Sequence, residues 1–222
     1  IFVRDASTNE TIFVSRATGA AGAAGDGSSR NPAISADGRY VVFQSDADNL
    51  SPDDNNAFTN VFVRDLVAGT TTLVSRASGP GGAGANDNAT EPDISSDGRY
   101  VVFQSGADNL SPDDNNAVSN IFVRDLVNDT TTLVSRAPGL AGAAADDNSF
   151  NPAISGDGNR VAFQSSANNL SAEDNDAVVN VYVRDIDSGA VVFVSRATGA
   201  AGAPGDASSF DPDISPSGRY VA

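Results

Sequence analysis

The side chains best placed to do chemistry carry oxygen and recur in one loop. It reads Asp53-Asp54-Asn55-Asn56-Ala57-Phe58-Thr59-Asn60, recurs as Asp113 to Asn120 with Val118 and Ser119 in place of Phe58 and Thr59, and then as Glu173-Asp174-Asn175-Asp176-Ala177-Val178-Val179-Asn180. The spacing Asp-x-Asx-x-x-x-Asn puts side-chain oxygens at loop positions 1, 3 and 7, and a backbone carbonyl at position 5 adds a fourth. Such alternation wraps one hard cation while the intervening side chains point away, so the expected ion is calcium. The expected ligands are Asp54, Asn56 and Asn60; Asp114, Asn116 and Asn120; and Asp174, Asp176 and Asn180. A second reading stands beside this one. Asp, Asn, Ser and Pro are ordinary turn formers, and Asx side chains cap their own backbone. The loop lacks the glycine and the bidentate Glu of an EF-hand. With one carboxylate in two of the three copies, any calcium affinity belongs to the millimolar class.

Other chemistries are excluded by composition. The 222 residues include no Cys, His, Met, Trp or Lys. Thiol catalysis, Ser-His-Asp hydrolysis, Cys/His zinc sites and lysine Schiff bases are therefore impossible within this chain. All 13 basic residues are Arg; they face 29 acidic residues, for a formal net charge of −16. That charge disfavours nucleic acid and anionic membranes, which are polyanions. No apolar stretch approaches the roughly 20 residues that span a bilayer, so membrane insertion is not expected. Paired carboxylates can hydrolyse glycosides. Here every regularly placed Asp is repeated and no Trp offers a sugar platform, so the expected role is non-catalytic.

The repetition behind that statement is strict. The run Val61-Phe62-Val63-Arg64-Asp65 has counterparts in Ile1 to Asp5, Ile121 to Asp125 and Val181 to Asp185, always 60 residues apart. Residues 31–60 and 91–120 agree at 24 of 30 positions, which points to one structural unit used repeatedly. Each unit reads as four short strands. The first is Pro32 to Ser35, followed by the hairpin signal Asp37-Gly38. The second is Arg39 to Ser45, the third Asn60 to Leu66, and the fourth Thr71 to Arg76. The second and third are apolar on consecutive residues, which implies burial on both faces. Small antiparallel sheets covered on both faces by copies of themselves are the blades of a β-propeller. The expected class is therefore all-β, with complete blades at 31–76, 91–136 and 151–196. Residues 1–16 supply the outer strands of a split blade and 211–222 its inner strands. A closed four-bladed ring, part of a longer propeller, and a unit whose open halves join neighbouring chains are the three arrangements this register allows.

The run Pro32-x-Ile34-Ser35-x-Asp37-Gly38-Arg39-Tyr40-Val41-Val42-Phe43, then Asn60-Val61-Phe62-Val63-Arg64-Asp65 and a Thr-rich strand, resembles the TolB-type (WD40-like) propeller repeat. The resemblance covers every repeat. It departs in length, because common repeats of that family are shorter and the extra residues lie in 46–60 and 77–90. The last repeat also carries Pro216-Ser217-Gly218 in place of the Asp-Gly turn. The family includes periplasmic scaffolds, propellers beside peptidase domains, and many secreted proteins, so the resemblance implies fold more than function.

Around this frame stand several further expectations. Arg64-Asp65, Arg124-Asp125 and Arg184-Asp185 are expected to bridge neighbouring blades by bidentate pairing. The segments 17–30, 77–90, 137–150 and 197–210 vary most and are either recognition loops or solvated linkers. Sequons at Asn9, Asn49, Asn88, Asn109, Asn128 and Asn169 allow glycan attachment in an organism that glycosylates. Ile1 opens inside a strand-like run without a leader peptide, so the sequence reads as a processed form or a piece of a longer one. The expected protein is an extracellular or cell-surface scaffold, periplasmic in a Gram-negative source, that binds a protein or itself. A filament subunit joined through its open blade halves is one alternative. The propeller of a larger hydrolase is the other.

Overall fold

A computed structural model describes residues 1–174, 178–199 and 202–222. Three four-stranded antiparallel blades follow one another. Blade A comprises β3 (Ser29–Ile34), β4 (Tyr40–Ser45), β5 (Asn60–Asp65) and β6 (Thr70–Leu73). Blade B comprises β7 (Ala89–Ile94), β8 (Tyr100–Ser105), β9 (Asn120–Asp125) and β10 (Thr130–Leu133). Blade C comprises β11 (Ser149–Ile154), β12 (Arg160–Ser165), β13 (Asn180–Asp185) and β14 (Val191–Phe193). Before blade A stands a two-stranded hairpin, β1 (Phe2–Asp5) with β2 (Glu10–Phe13). After blade C, residues 211–222 form a turn closed by the bridge Ile214–Val221. Among the described residues β1 pairs only with β2, and no ladder joins it to 211–222.

The consecutive apolar residues of the central strands are buried as their pattern requires. Val41, Val42, Phe43, Phe62 and their counterparts in B and C are fully buried. Phe43 stacks on Phe62 and Phe103 on Phe122, each pair with ring centroids 5.9 Å apart. One core joins Val42 and Val63 of blade A to Ile94 and Phe103 of blade B, so each blade's face is closed by the next.

Strand ends differ from the sequence expectation for a physical reason. The innermost strands start three residues earlier than Pro32, because Ser29 and Arg30 already pair with Ser45 and Gln44. The ladder then breaks in a bulge, where Asn31 takes φ 51° ahead of Pro32, which has no N–H to donate. Glu91, Asn151 and Asp211 repeat this left-handed conformation. Their backbone N–H groups donate to Gln44, Gln104 and Gln164 of the preceding blade, at 2.7–3.0 Å for the set. The bulge thus turns a backbone donor toward the neighbouring blade.

Candidate functional site

Loop 51–60 is built by short-range hydrogen bonds of the kind Asx and Ser residues form. Asp54 N–H donates to the Ser51 carbonyl at 3.1 Å, and Phe58 N–H donates to Asn56 Oδ1 at 2.9 Å. Asn56 Nδ2 reaches out of the loop to the Ala85 carbonyl, which fixes its oxygen inward. Asn60 is fully buried; its Oδ1 accepts from the Ser75 hydroxyl at 2.8 Å. Its Nδ2 points back into the loop, toward Asp54 Oδ1 at 3.1 Å, Asn56 Oδ1 at 3.1 Å and the Phe58 carbonyl at 3.3 Å. All four positions singled out by spacing therefore converge on one point, which an amide nitrogen occupies.

Loop 111–120 repeats this arrangement. Asn120 Nδ2 faces Asp114 Oδ1 and Asn116 Oδ1 at 3.1 Å each and the Val118 carbonyl at 3.5 Å. In blade C, Asn180 Nδ2 faces Asp174 Oδ1 at 3.3 Å and the Val178 carbonyl at 3.4 Å. Asp176 lies outside the described residues.

The copies differ at one oxygen. Asp54 is 8% exposed, yet its Oδ2 is buried without a hydrogen-bond partner. In blade C the Tyr182 hydroxyl donates to the corresponding oxygen of Asp174, where blades A and B carry Phe62 and Phe122. Burial pushes the Asp54 carboxyl up to about 6, aided by the charges of Asp48 and Asp26, and burial raises Asp114 as well. Nearby Arg76 does not compensate, because its guanidinium pairs with Asp53 at 2.7 Å. Among the described residues no three carboxylates gather into one metal cluster.

The Arg-Asp pairs act differently from the expected bidentate bridge. Asp65 pairs within its own blade, with Arg39 at 2.7 Å, and Asp125 does so with Arg99. Arg64, Arg124 and Arg184 do cross between units, but onto backbone carbonyls: Ala17 at 3.0 Å, Ala77 at 3.0 Å and Ala137 at 3.2 Å. The sequence shows adjacent charges; the pleat sends them to opposite faces, so one serves the blade and the other its neighbour. Of the sequons, Asn49, Asn109 and Asn169 use Nδ2 to hold the Ala24, Gly84 and Ala144 carbonyls. Asn128 Nδ2 is engaged with Asp125.

None of the cavities among the described residues was foreseen, and two of them lie where polar residues of successive units meet. One, of about 280 Å³, lies between blades A and B and is lined by Tyr40, Leu126, Arg124 and Asp129 among others. The other, about 330 Å³, is bordered by Glu91, Asn151 and Asp211 and the prolines that follow them. The sequence signal for the second was available: a polar residue precedes Pro in every repeat.

No protein-family model matches the chain, and no curated protein sequence matches it significantly. Solved structures do. TolB from Acinetobacter baumannii superposes with TM-score 0.54 at 17% identity, over 99% of this chain and 41% of that one. A TolB structure from Agrobacterium tumefaciens gives 0.47 at 19% identity, over 75% and 48%. An oligogalacturonate lyase from Vibrio parahaemolyticus gives 0.46 at 15% identity, over 87% and 45%. The chain spans less than half the length of each of these proteins. At such identities the likeness concerns fold alone, and in fold the chain is a TolB-like β-propeller segment.

Proposed function

We propose that the chain is a non-catalytic propeller scaffold that works outside the cytoplasm and binds a protein partner. The observation that carries this reading is the use made of the repeated polar groups. The arginines at 64, 124 and 184 hold neighbouring units, the aspartates at 65, 125 and 185 hold their own turns, and the glutamines at 44, 104 and 164 hold the next bulge. Groups spent on joining blades are the parts of a scaffold. Variable segments 17–30, 77–90 and 137–150 sit on that rigid frame, the usual place for recognition. The TolB-like fold supports an exported setting through the periplasmic and secreted proteins that its repeat resembles.

The test has two arms. The native full-length protein is assayed against polysaccharides and peptides, and cross-linked in intact cells. The reading expects no turnover, and one cross-linked species lost when 78–88 is replaced by Gly and Ser. Turnover abolished by a single carboxylate substitution would overturn it in favour of an enzyme.

A further inference from the structure

We propose that loops 51–60 and 111–120 are calcium sites in which the Asn60 and Asn120 carboxamides turn over to present oxygen to the ion. Three observations converge. First, Asn60 Nδ2 has two protons but three oxygens around it, at 3.1, 3.1 and 3.3 Å. A nitrogen inside an oxygen cage holds the position a cation would take, and the cage is repeated around Asn120. Second, the buried Asp54 Oδ2 has no partner, so the carboxylate retains an oxygen for bidentate coordination. Leaving a buried carboxylate oxygen unsatisfied is costly, and a hard cation relieves that cost. Third, the orientation of Asn56 is independently fixed. Its Nδ2 is held by the Ala85 carbonyl, and Asn116 Nδ2 is held by the Ala145 carbonyl at 2.8 Å, so both oxygens are aimed inward.

The turnover requires little rearrangement. Ser75 Oγ now donates to Asn60 Oδ1 and accepts from Val61 N–H. After a half-turn of the amide, the same hydroxyl accepts from Asn60 Nδ2 through its second lone pair, and its own proton gives up the Asn60 acceptor, a cost that ligation of the ion must exceed. The ion then meets both oxygens of Asp54, Asn56 Oδ1, the Phe58 carbonyl and Asn60 Oδ1, with water completing the 6–8 ligands calcium takes. The loop must tighten from the present 3.1 Å contacts to the roughly 2.3–2.6 Å of calcium–oxygen bonds. Asp26 and Asp48 add negative potential at blade A. In blade C the Tyr182 hydroxyl already donates to the second carboxylate oxygen of Asp174, which leaves that carboxylate one oxygen fewer to offer.

The probe is CaCl2 added to the metal-free full chain, followed by calorimetric titration and thermal unfolding. In 5 mM CaCl2 the wild type is expected to gain about 5 °C in Tm. Asp54→Asn combined with Asp114→Asn keeps the Asn60 and Asn120 hydrogen bonds but removes the charge, and should abolish the gain. If that variant does not fold, Phe62→Tyr with Phe122→Tyr caps the carboxylates as blade C does and should weaken binding at least tenfold. The side-chain amide resonances of Asn60 should shift as calcium binds. A wild-type Tm unmoved by calcium, equal gains in wild type and variants, or ion binding that leaves the Asn60 amide unshifted would each overturn the proposal.

Discussion

At Asp54, burial and charge conflict. The carboxyl is held up at about 6, first by burial and then by Asp48 and Asp26, against 3.8 unperturbed. A carboxyl with a raised folded-state pKa is favoured by the fold in its protonated form. Its penalty is therefore absent near pH 4, grows through pH 6, and is complete above that. Blade C supplies the remedy, a Tyr182 hydroxyl on the equivalent oxygen. Phe62→Tyr in metal-free buffer should therefore stabilise the protein at pH 7 by about 1–2 kcal/mol, since a hydrogen bond to a charged group contributes on that order. At pH 4.5 the gain should nearly vanish. Unfolding curves at the two pH values check this. An equal gain at both would mean that the hydroxyl fills space rather than meeting charge.

Between strands, the turns β5–β6, β9–β10 and β13–β14 show how one residue changes a junction. In blade B, Asp129 adopts φ 55° and its carboxylate accepts from buried Arg124 at 2.8 Å. Blades A and C have Gly69 and Gly189 there, with similar φ of 67° and 71°. A Cβ on Gly69 would meet only Arg64 Nη2, at 3.7 Å. One on Gly189 would lie 2.7 Å from the backbone of Gly139 and Leu140. Gly69→Asp should thus leave Tm unchanged or higher, its new ion pair offsetting the positive-φ cost of about 1 kcal/mol. Gly189→Asp should lower Tm by several degrees, because backbone cannot yield cheaply. Equal effects of the two would refute this account of the turns. The pair also marks how far the sequence could be read. Strand types, the 60-residue period and the convergence of Asp54, Asn56 and Asn60 follow from spacing along the chain. Which carbonyl Arg64 reaches, that Asn31 turns left-handed, and that Asn60 aims nitrogen inward depend on what lies across the sheet or in the next blade. Spacing carries no signal for that.

Across the whole molecule, charge is the unresolved opposing force. Thirteen arginines face 29 acidic residues, and arginines 39, 76, 99, 124 and 136 are tied in ion pairs at 2.7–2.8 Å. The acids left over repel one another across a frame whose blades touch mainly their nearest neighbours. Salt acts on both terms with opposite sign. It weakens the exposed pairs, each worth about 0–1 kcal/mol, and it screens the surplus charge of −16. Repulsion summed over 16 charges exceeds a handful of partly exposed pairs, so added salt should stabilise. Raising NaCl from 10 mM to 500 mM in metal-free buffer should increase Tm by a few degrees, most of it below 200 mM, where the Debye length shrinks from about 30 Å toward 7 Å. KCl at the same ionic strength should act equally, since screening does not distinguish the cations. A Tm that falls with salt would show that the arginine pairs outweigh the surplus. A response to Na⁺ but not K⁺ would instead locate the effect in the oxygen-lined loops.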